Sequence, residues 1–259
     1  MADFNSSSLL SAVNERTLQY IPSFIDDQRR QGSLDDTTTL MQCIAPLVPN
    51  YLSQKVGKVR DMVIAEEIIV IITTDRQSAF DRQLTSVPCK GRVLNLLSLW
   101  WFELSKAKAQ IPNAVVASPH PNVTIARRCI VFPVEFVMRG FITGSTSTSL
   151  WTNYHKGART YCGHVFPDGL LKNQRLDANK LTPTTKSDEH DELISAEEIV
   201  SRGLMSRTHW EQCEAYAHAL FQLGQEGKGG DGSAVCCSVS IDALQLIAIY
   251  AVTYRGIFS

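Results

Sequence analysis

The sequence predicts an α+β fold, strand-rich in its first part and helix-containing in its second. Three observations lead there. Ile68 to Thr74 reads IIVIITT, β-branched throughout, the pattern of a buried strand. Leu94, Leu97, Trp101 and Leu104 recur at three- and four-residue spacing, which predicts an amphipathic helix over residues 92–108. Trp210, Cys213, Ala217, Leu220 and Phe221 mark a longer one over residues 208–224. With 259 residues, 44% of them hydrophobic, the chain can bury the core of one large domain or two small ones.

The remaining elements follow in order. Residues 1–50 read as an N-terminal extension, with a mixed-charge helix over 14–30 and a loop over 32–39. The core begins near Tyr51. Gly57-Lys58-Val59-Arg60-Asp61 is a turn between two strand candidates. The strand at Ile68 empties into a polar loop, Asp75 to Asp81, and Pro88 to Gly91 is another turn. Residues 111–128 are loop-rich, with Pro112, Pro119 and Pro121. A strand over 129–138 breaks at Pro133, which marks a boundary between lobes because proline cannot donate to a central ladder. A short helix can follow over 146–154, then a short strand over 159–164. Ser195-Ala196-Glu197-Glu198 is a capping-box signature. Residues 227–233 form a glycine-rich linker, and residues 234–259 a mostly apolar tail.

Composition excludes several classes. Formal net charge is -1 and there is no dense Lys/Arg stripe, so nucleic acid is not an expected partner. The seven cysteines are scattered, without a CxxC pair, which argues against a zinc site and for a reducing compartment. The start, Met1-Ala2-Asp3-Phe4-Asn5, has neither the basic region nor the apolar core of a secretory signal. The clean apolar stretch Leu246 to Val252 falls far short of the ~20 residues that cross a bilayer, so no membrane partner is expected.

Four segments carry residues suited to chemistry. In the run Phe132 to Ser145, Gly140 and Gly144 permit close approach and positive φ. Arg139 offers a planar fork for a carboxylate or phosphate, and Ser145 a hydroxyl at a helix start. A surface turn with a solvated arginine is the blander alternative. In the Gly57 turn, backbone N–H groups with Lys58 and Arg60 can face a phosphate, though the spacing is not that of a Walker A loop. Asp75 to Asp81 with Lys90 is either a functional loop or a turn capped by Asp75. In Thr182 to Asp191, Lys186 can hold an anion and Asp191 can accept N–H or O–H donors; the alternative is a solvated charged loop. His155, His164 and His190 lack metal-ligand spacing.

Taken together, these segments resemble the phosphoribosylaminoimidazole-succinocarboxamide synthase (SAICAR synthetase) family of purine biosynthesis, in a plant-like form. The matching stretches are GKVRD (57–61), TTDRQSAFD (73–81), KG (90–91), SLWWF (98–102), FPVEFVMRGFITGSTSTSLW (132–151), YCG (161–163), PDGLLKNQ (167–174) and TPTTKSDEHD (182–191). They keep family order over residues 51–226. The resemblance implies a two-lobed, kinase- or ATP-grasp-like α+β fold. Residues 51–133 would form a nucleotide-binding lobe, mainly antiparallel sheet plus helix, and 134–226 part of a substrate-binding lobe. It implies an ATP- and Mg²⁺-dependent ligase. L-aspartate is joined to the carboxylate of carboxylated aminoimidazole ribonucleotide (CAIR), giving SAICAR, ADP and phosphate. By the same resemblance Lys58, Arg60 and Glu135 serve ATP, while Arg139, Ser145, Lys186 and Asp191 serve the substrates. Asp81 and Lys90 are further pocket candidates. A homo-oligomer is left open. The family's plant members imply a plastid. Asp3, Glu15, Asp26 and Asp27 are unlike the acid-poor transit peptides, which keeps the cytosol open.

After Glu226 the chain departs from the pattern. The family continues with DTKYEFG-like and DEIHTPDSSRYW-like segments, and residues 227–259 hold neither. The Mg²⁺ carboxylates and a further substrate arginine are expected in those segments. The second lobe is therefore expected to be incomplete, the chain a C-terminally truncated form, and its turnover weak or absent. The alternative reading is an inert binding or regulatory form that retains CAIR or a partner.

Overall fold

The computed structural model describes residues 15–30, 32–79, 82–185 and 192–226. The described residues divide into two compact units, those up to residue 103 with 114–129, and those of 104–113 with 130 onward.

In the first unit, helix α1 (Glu15–Arg30) and helix α2 (Thr38–Ile44) precede three antiparallel strands, β1 (Tyr51–Val56), β2 (Arg60–Ala65) and β3 (Ile68–Thr73). A hairpin of β4 (Arg76–Ala79) and β5 (Arg82–Ser86) leads into helix α3 (Lys90–Ala109). Strands β6 (Val115–His120) and β7 (Val123–Arg127) then complete a five-stranded sheet in the order β1-β2-β3-β7-β6. The IIVIIT strand lies inside this sheet, buried at five of its six positions, as its β-branched run predicts.

Residues set apart in the sequence as an extension supply much of this core. Ile21, Ile25, Leu34, Leu40, Met41 and Ile44 pack with Val63, Val70, Ile72, Val123 and Ile125. Ile21 and Ile25 stand one turn apart on α1, while the charges of the helix cluster towards its C-terminal end and mask the short apolar stripe. The region expected to be loop-rich holds the β6–β7 hairpin instead. Its prolines sit where a ladder makes no demand on them: Pro119 in the edge strand, Pro121 in the turn, Pro112 ahead of both. The polar loop expected after β3 is likewise a hairpin, β4–β5.

The second unit is built from two-stranded pairs. Strand β8 (Val134–Glu135) starts directly after Pro133, and β9 (Met138–Phe141) follows. Helix α4 (Leu150–His155) leads to β10 (Thr160–Tyr161) and β11 (His164–Val165), paired across a Cys162-Gly163 turn with both φ positive. Strand β12 (Arg175–Leu181) pairs with β9, and β13 (Thr184–Thr185) with β8. Helix α5 (Ala196–Ser201) starts at Ser195 with both hydrogen bonds of the capping box, and α6 (Arg207–Glu226) is the long amphipathic helix. Ile142, Leu150, Tyr154, Tyr161, Phe166 and Leu176 form one core cluster, and Phe136 stacks on Trp210 at 5.2 Å between ring centroids. Among the described residues no helix is long and apolar enough to cross a membrane.

Candidate active site

Strand β3 ends at Thr73, and the three residues after it organise the first unit's cationic surface. Asp75 has no solvent exposure. Its Oδ2 accepts N–H groups from Leu34 (3.0 Å) and Cys89 (3.2 Å), and its Oδ1 accepts that of Gly91 (2.8 Å). Arg29 Nη2 lies 3.7 Å from Oδ1. Burying a carboxylate costs free energy unless such donors replace the water it loses. Asp75 is thus committed to the fold, and it fixes both residues that flank Lys90. Gly91 makes this junction possible: a Cβ there would press on the backbone of Thr73 and Thr74, 2.6 Å from the Thr74 carbonyl oxygen.

Lys90 Nζ donates to the Arg76 carbonyl at 3.0 Å. Burial lowers its pKa, and the neighbouring Arg60 guanidinium lowers it further, against an opposing pull from Asp75. Arg60 and Lys90 therefore share one locality with the Gly57 turn between β1 and β2. In that turn the Gly57 N–H donates to the Arg60 carbonyl (2.9 Å) and to Asp61 Oδ1 (3.2 Å). A Cβ on Gly57 would meet the Arg60 carbonyl oxygen, so the close turn requires glycine. Lys58 and Arg60 stand on that turn, and Lys90 neighbours Arg60. Asp81, expected beside them, lies outside the described residues.

In the second unit, burial alternates from Val134 to Gly140, which places Glu135, Val137 and Arg139 on one half-buried side. Arg139 Nε donates to Thr182 Oγ1 (2.9 Å), which in turn donates to the Val137 carbonyl (3.1 Å). The Arg139 guanidinium stands 6.0 Å from the Tyr161 ring centroid. Burial raises the Tyr161 pKa, while Arg139 pulls it down. Glu135 pairs with Thr184 across β8 and β13. Only Gly144 of the two glycines uses positive φ (+107°); Gly140 serves by close approach to the Asn179 side chain. Ser145 is exposed, but it is not at a helix start. Helix α4 begins five residues later, after a turn closed by Ser149 Oγ on the Thr146 carbonyl (2.8 Å). Lys186 and Asp191 lie outside the described residues.

Four positioning groups escaped the sequence reading: Thr37, Asp61, Arg76 and Thr182. Asp61 and Arg76 stood inside recognised segments, but nothing in the sequence marks either charge as buried. Among the described residues no group of three or more His, Cys, Asp or Glu could hold a metal. Asp61 and Asp75, the buried carboxylates beside the cations, are taken up by guanidinium, hydroxyl and backbone N–H donors. Neither of these two carboxylates is therefore free to hold a Mg²⁺ ion. Burial pushes the Cys162 thiol up to about 11 and that of Cys213 up to about 12, so neither is a thiolate nucleophile at neutral pH.

The family model for SAICAR synthetase matches residues 53–232, more than half of the chain. The chain belongs to the SAICAR synthetase family. The chloroplastic phosphoribosylaminoimidazole-succinocarboxamide synthase of Vigna aconitifolia is 58% identical over 179 residues, covering 69% of this chain and 52% of that one. Its counterpart in Arabidopsis thaliana is 49% identical over 218 residues, covering 77% and 53%. The chain thus spans about half the length of the curated SAICAR synthetases it matches. Among solved structures, SAICAR-synthase from Saccharomyces cerevisiae complexed with SAICAR superposes with a TM-score of 0.57 at 26% identity, over 68% of this chain and 62% of that chain. A SAICAR synthetase in complex with ADP, 19% identical, shares the fold with a TM-score of 0.54, over 67% of each chain.

Proposed function

We propose that the chain takes part in the ATP-dependent joining of L-aspartate to the carboxylate of CAIR, giving SAICAR, ADP and phosphate. A carboxylate does not react with an amine because its oxygen is a poor leaving group. Phosphoryl transfer from ATP turns that oxygen into a phosphate leaving group, and the aspartate amine then displaces it. Such chemistry depends on positioning and on balancing phosphate charge. The observation that carries the reading is the cationic locality of Lys58, Arg60 and Lys90 around a glycine turn. In the first unit these three take the nucleotide phosphates, and Asp81 remains a further candidate for the same pocket. In the second, Arg139, held at Nε by Thr182, and Ser145 take the anionic CAIR. Lys186 and Asp191 form a second substrate-contacting pair, and Glu135 is the expected nucleotide contact.

A second reading concerns the 259-residue polypeptide by itself. Asp61 and Asp75 are engaged by the fold, and residues 227–259 carry neither of the family's later segments. On this reading the polypeptide binds CAIR or full-length protomers as a homo-oligomer partner and turns over weakly. A coupled assay of ADP release with ATP, Mg²⁺, CAIR and L-aspartate, run beside titration calorimetry with CAIR, separates the two. Calorimetric binding with little turnover is expected, and turnover equal to the Vigna aconitifolia enzyme refutes the second reading. The chloroplastic relatives support a plastid location, which a fluorescent fusion in leaf cells tests.

A further inference from the structure

Three successive carbonyls of the Gly57 turn are drawn into the first unit. Arg76 Nη2 donates to the Gly57 carbonyl (3.0 Å) and Arg76 Nε to that of Lys58 (3.2 Å). The Val59 carbonyl accepts from both N–H (3.0 Å) and Oγ1 (2.9 Å) of Thr74. The other Arg76 donors reach the Asp35 carbonyl and both oxygens of Asp61, so all five N–H bonds of the guanidinium are used. Asp61 is itself held by the Thr37 hydroxyl (2.7 Å) and the Gly57 N–H. Arg76 and Asp61 are both buried.

A trans peptide points its N–H opposite to its C=O. Drawing in the carbonyls of Gly57 and Lys58 therefore turns the N–H groups of Lys58 and Val59 the other way, as an anion-binding turn requires. We infer that Arg76 is the positioning residue of the phosphate grip: through the Gly57 and Lys58 carbonyls it presents Lys58 and the turn's N–H groups to the nucleotide phosphates. This inference rests on the proposed use of ATP. A lysine at position 76 keeps the charge beside Asp61 but cannot reach five acceptors in a plane.

The test titrates the full 259-residue chain with ATP and with adenosine, which lacks phosphates. Arg76→Lys is expected to weaken ATP by about tenfold while leaving adenosine unchanged. Equal losses for both ligands mean a general structural role and overturn the inference, as does unchanged ATP affinity. Lys58→Ala separates the two levels. If it weakens ATP while Arg76→Lys does not, the positioning role alone fails. If Lys58→Ala leaves ATP affinity unchanged, the phosphate reading fails and the inference with it. Should Arg76→Lys not fold, as judged by circular dichroism, Thr37→Val decides. It removes one bond that holds Asp61, and about a threefold loss for ATP alone supports the role. No loss, or an equal loss for adenosine, overturns it.

Discussion

The Asp75 carboxylate accepts three backbone N–H groups from two segments, which joins the end of β3 to the loop at Leu34 and to the start of α3. Asp75→Asn removes the charge and turns an NH₂ group toward at least one of those donors. A buried N–H left unpaired, with Arg29 deprived of its counter-charge, costs about 3 kcal/mol. The expected result is a lower urea midpoint at unchanged slope. His120 gives a second residue-level prediction. Its Nδ1 accepts the Asn122 N–H (3.1 Å), so its proton sits on Nε2, 3.4 Å from Asp26 Oδ1. Burial lowers its pKa below 6.5; Asp26 opposes this, and Arg29 and Arg92 reinforce it. The unfolded chain thus takes up a proton at higher pH than the folded one. Stability is expected to fall as pH drops through the unfolded value of about 6.5 towards the folded pKa, and to level off below it. His120→Gln should flatten the urea midpoint between about pH 7.5 and 5.5, above the range where carboxylates titrate.

At the scale of elements, local chemistry was legible and long-range packing was not. The capping box at Ser195 is a four-residue signal, and it appears complete in the structure, with Ser195 N–H donating to Glu198 Oε2 at 2.9 Å. Ser195→Ala should cost about 1 kcal/mol, read as a loss of thermal stability without change in the sheet signal of circular dichroism. The strand at Ile68 was equally clear, because burial on both faces makes five of its six positions Ile or Val. Strands β6 and β7 were hidden by three prolines, which mark loops in sequence but sit harmlessly in an edge strand and a turn. Helix α1 was visible as a helix, but its place in the core depends on Val63, Val70 and Val123, far along the chain. In the candidate site, glycine turns and arginines could be read directly. Arg76 could not be recognised as a positioning group, because its acceptors Asp35, Gly57 and Lys58 are brought to it only by the folded β2–β3 hairpin and the loop ahead of α2. Lys186, Asp191 and Asp81 fall outside the described residues.

At the scale of the whole molecule, helix α3 faces the sheet in a way its hydrophobic pattern does not suggest. Asn95 is buried, and its Oδ1 accepts hydroxyl donors from Thr73 (3.3 Å) on β3 and Thr124 (2.9 Å) on β7. Asn95 thus places a polar group, beside the buried Phe102, on the side that faces the sheet. Val93, Leu96, Leu97 and Trp100, spaced as one stripe of the helix, are instead exposed, Trp100 by 53% and Val93 by 61%. Leu84 and Val87 are exposed in the preceding segment of the same unit. Apolar side chains clustered on one helical stripe bind apolar dyes and drive self-association in proportion to the area they present. The polypeptide should therefore enhance the fluorescence of an anilinonaphthalene dye and scatter light at micromolar concentration. Leu96→Glu combined with Trp100→Glu should suppress both signals while leaving the circular dichroism spectrum unchanged, since neither side chain belongs to the buried face. Charges introduced at these positions stay solvated and cost the helix only tenths of a kcal/mol. Persistence of both signals in the double variant would place the association surface elsewhere, whereas loss of folding would show that the stripe is buried in the polypeptide in solution.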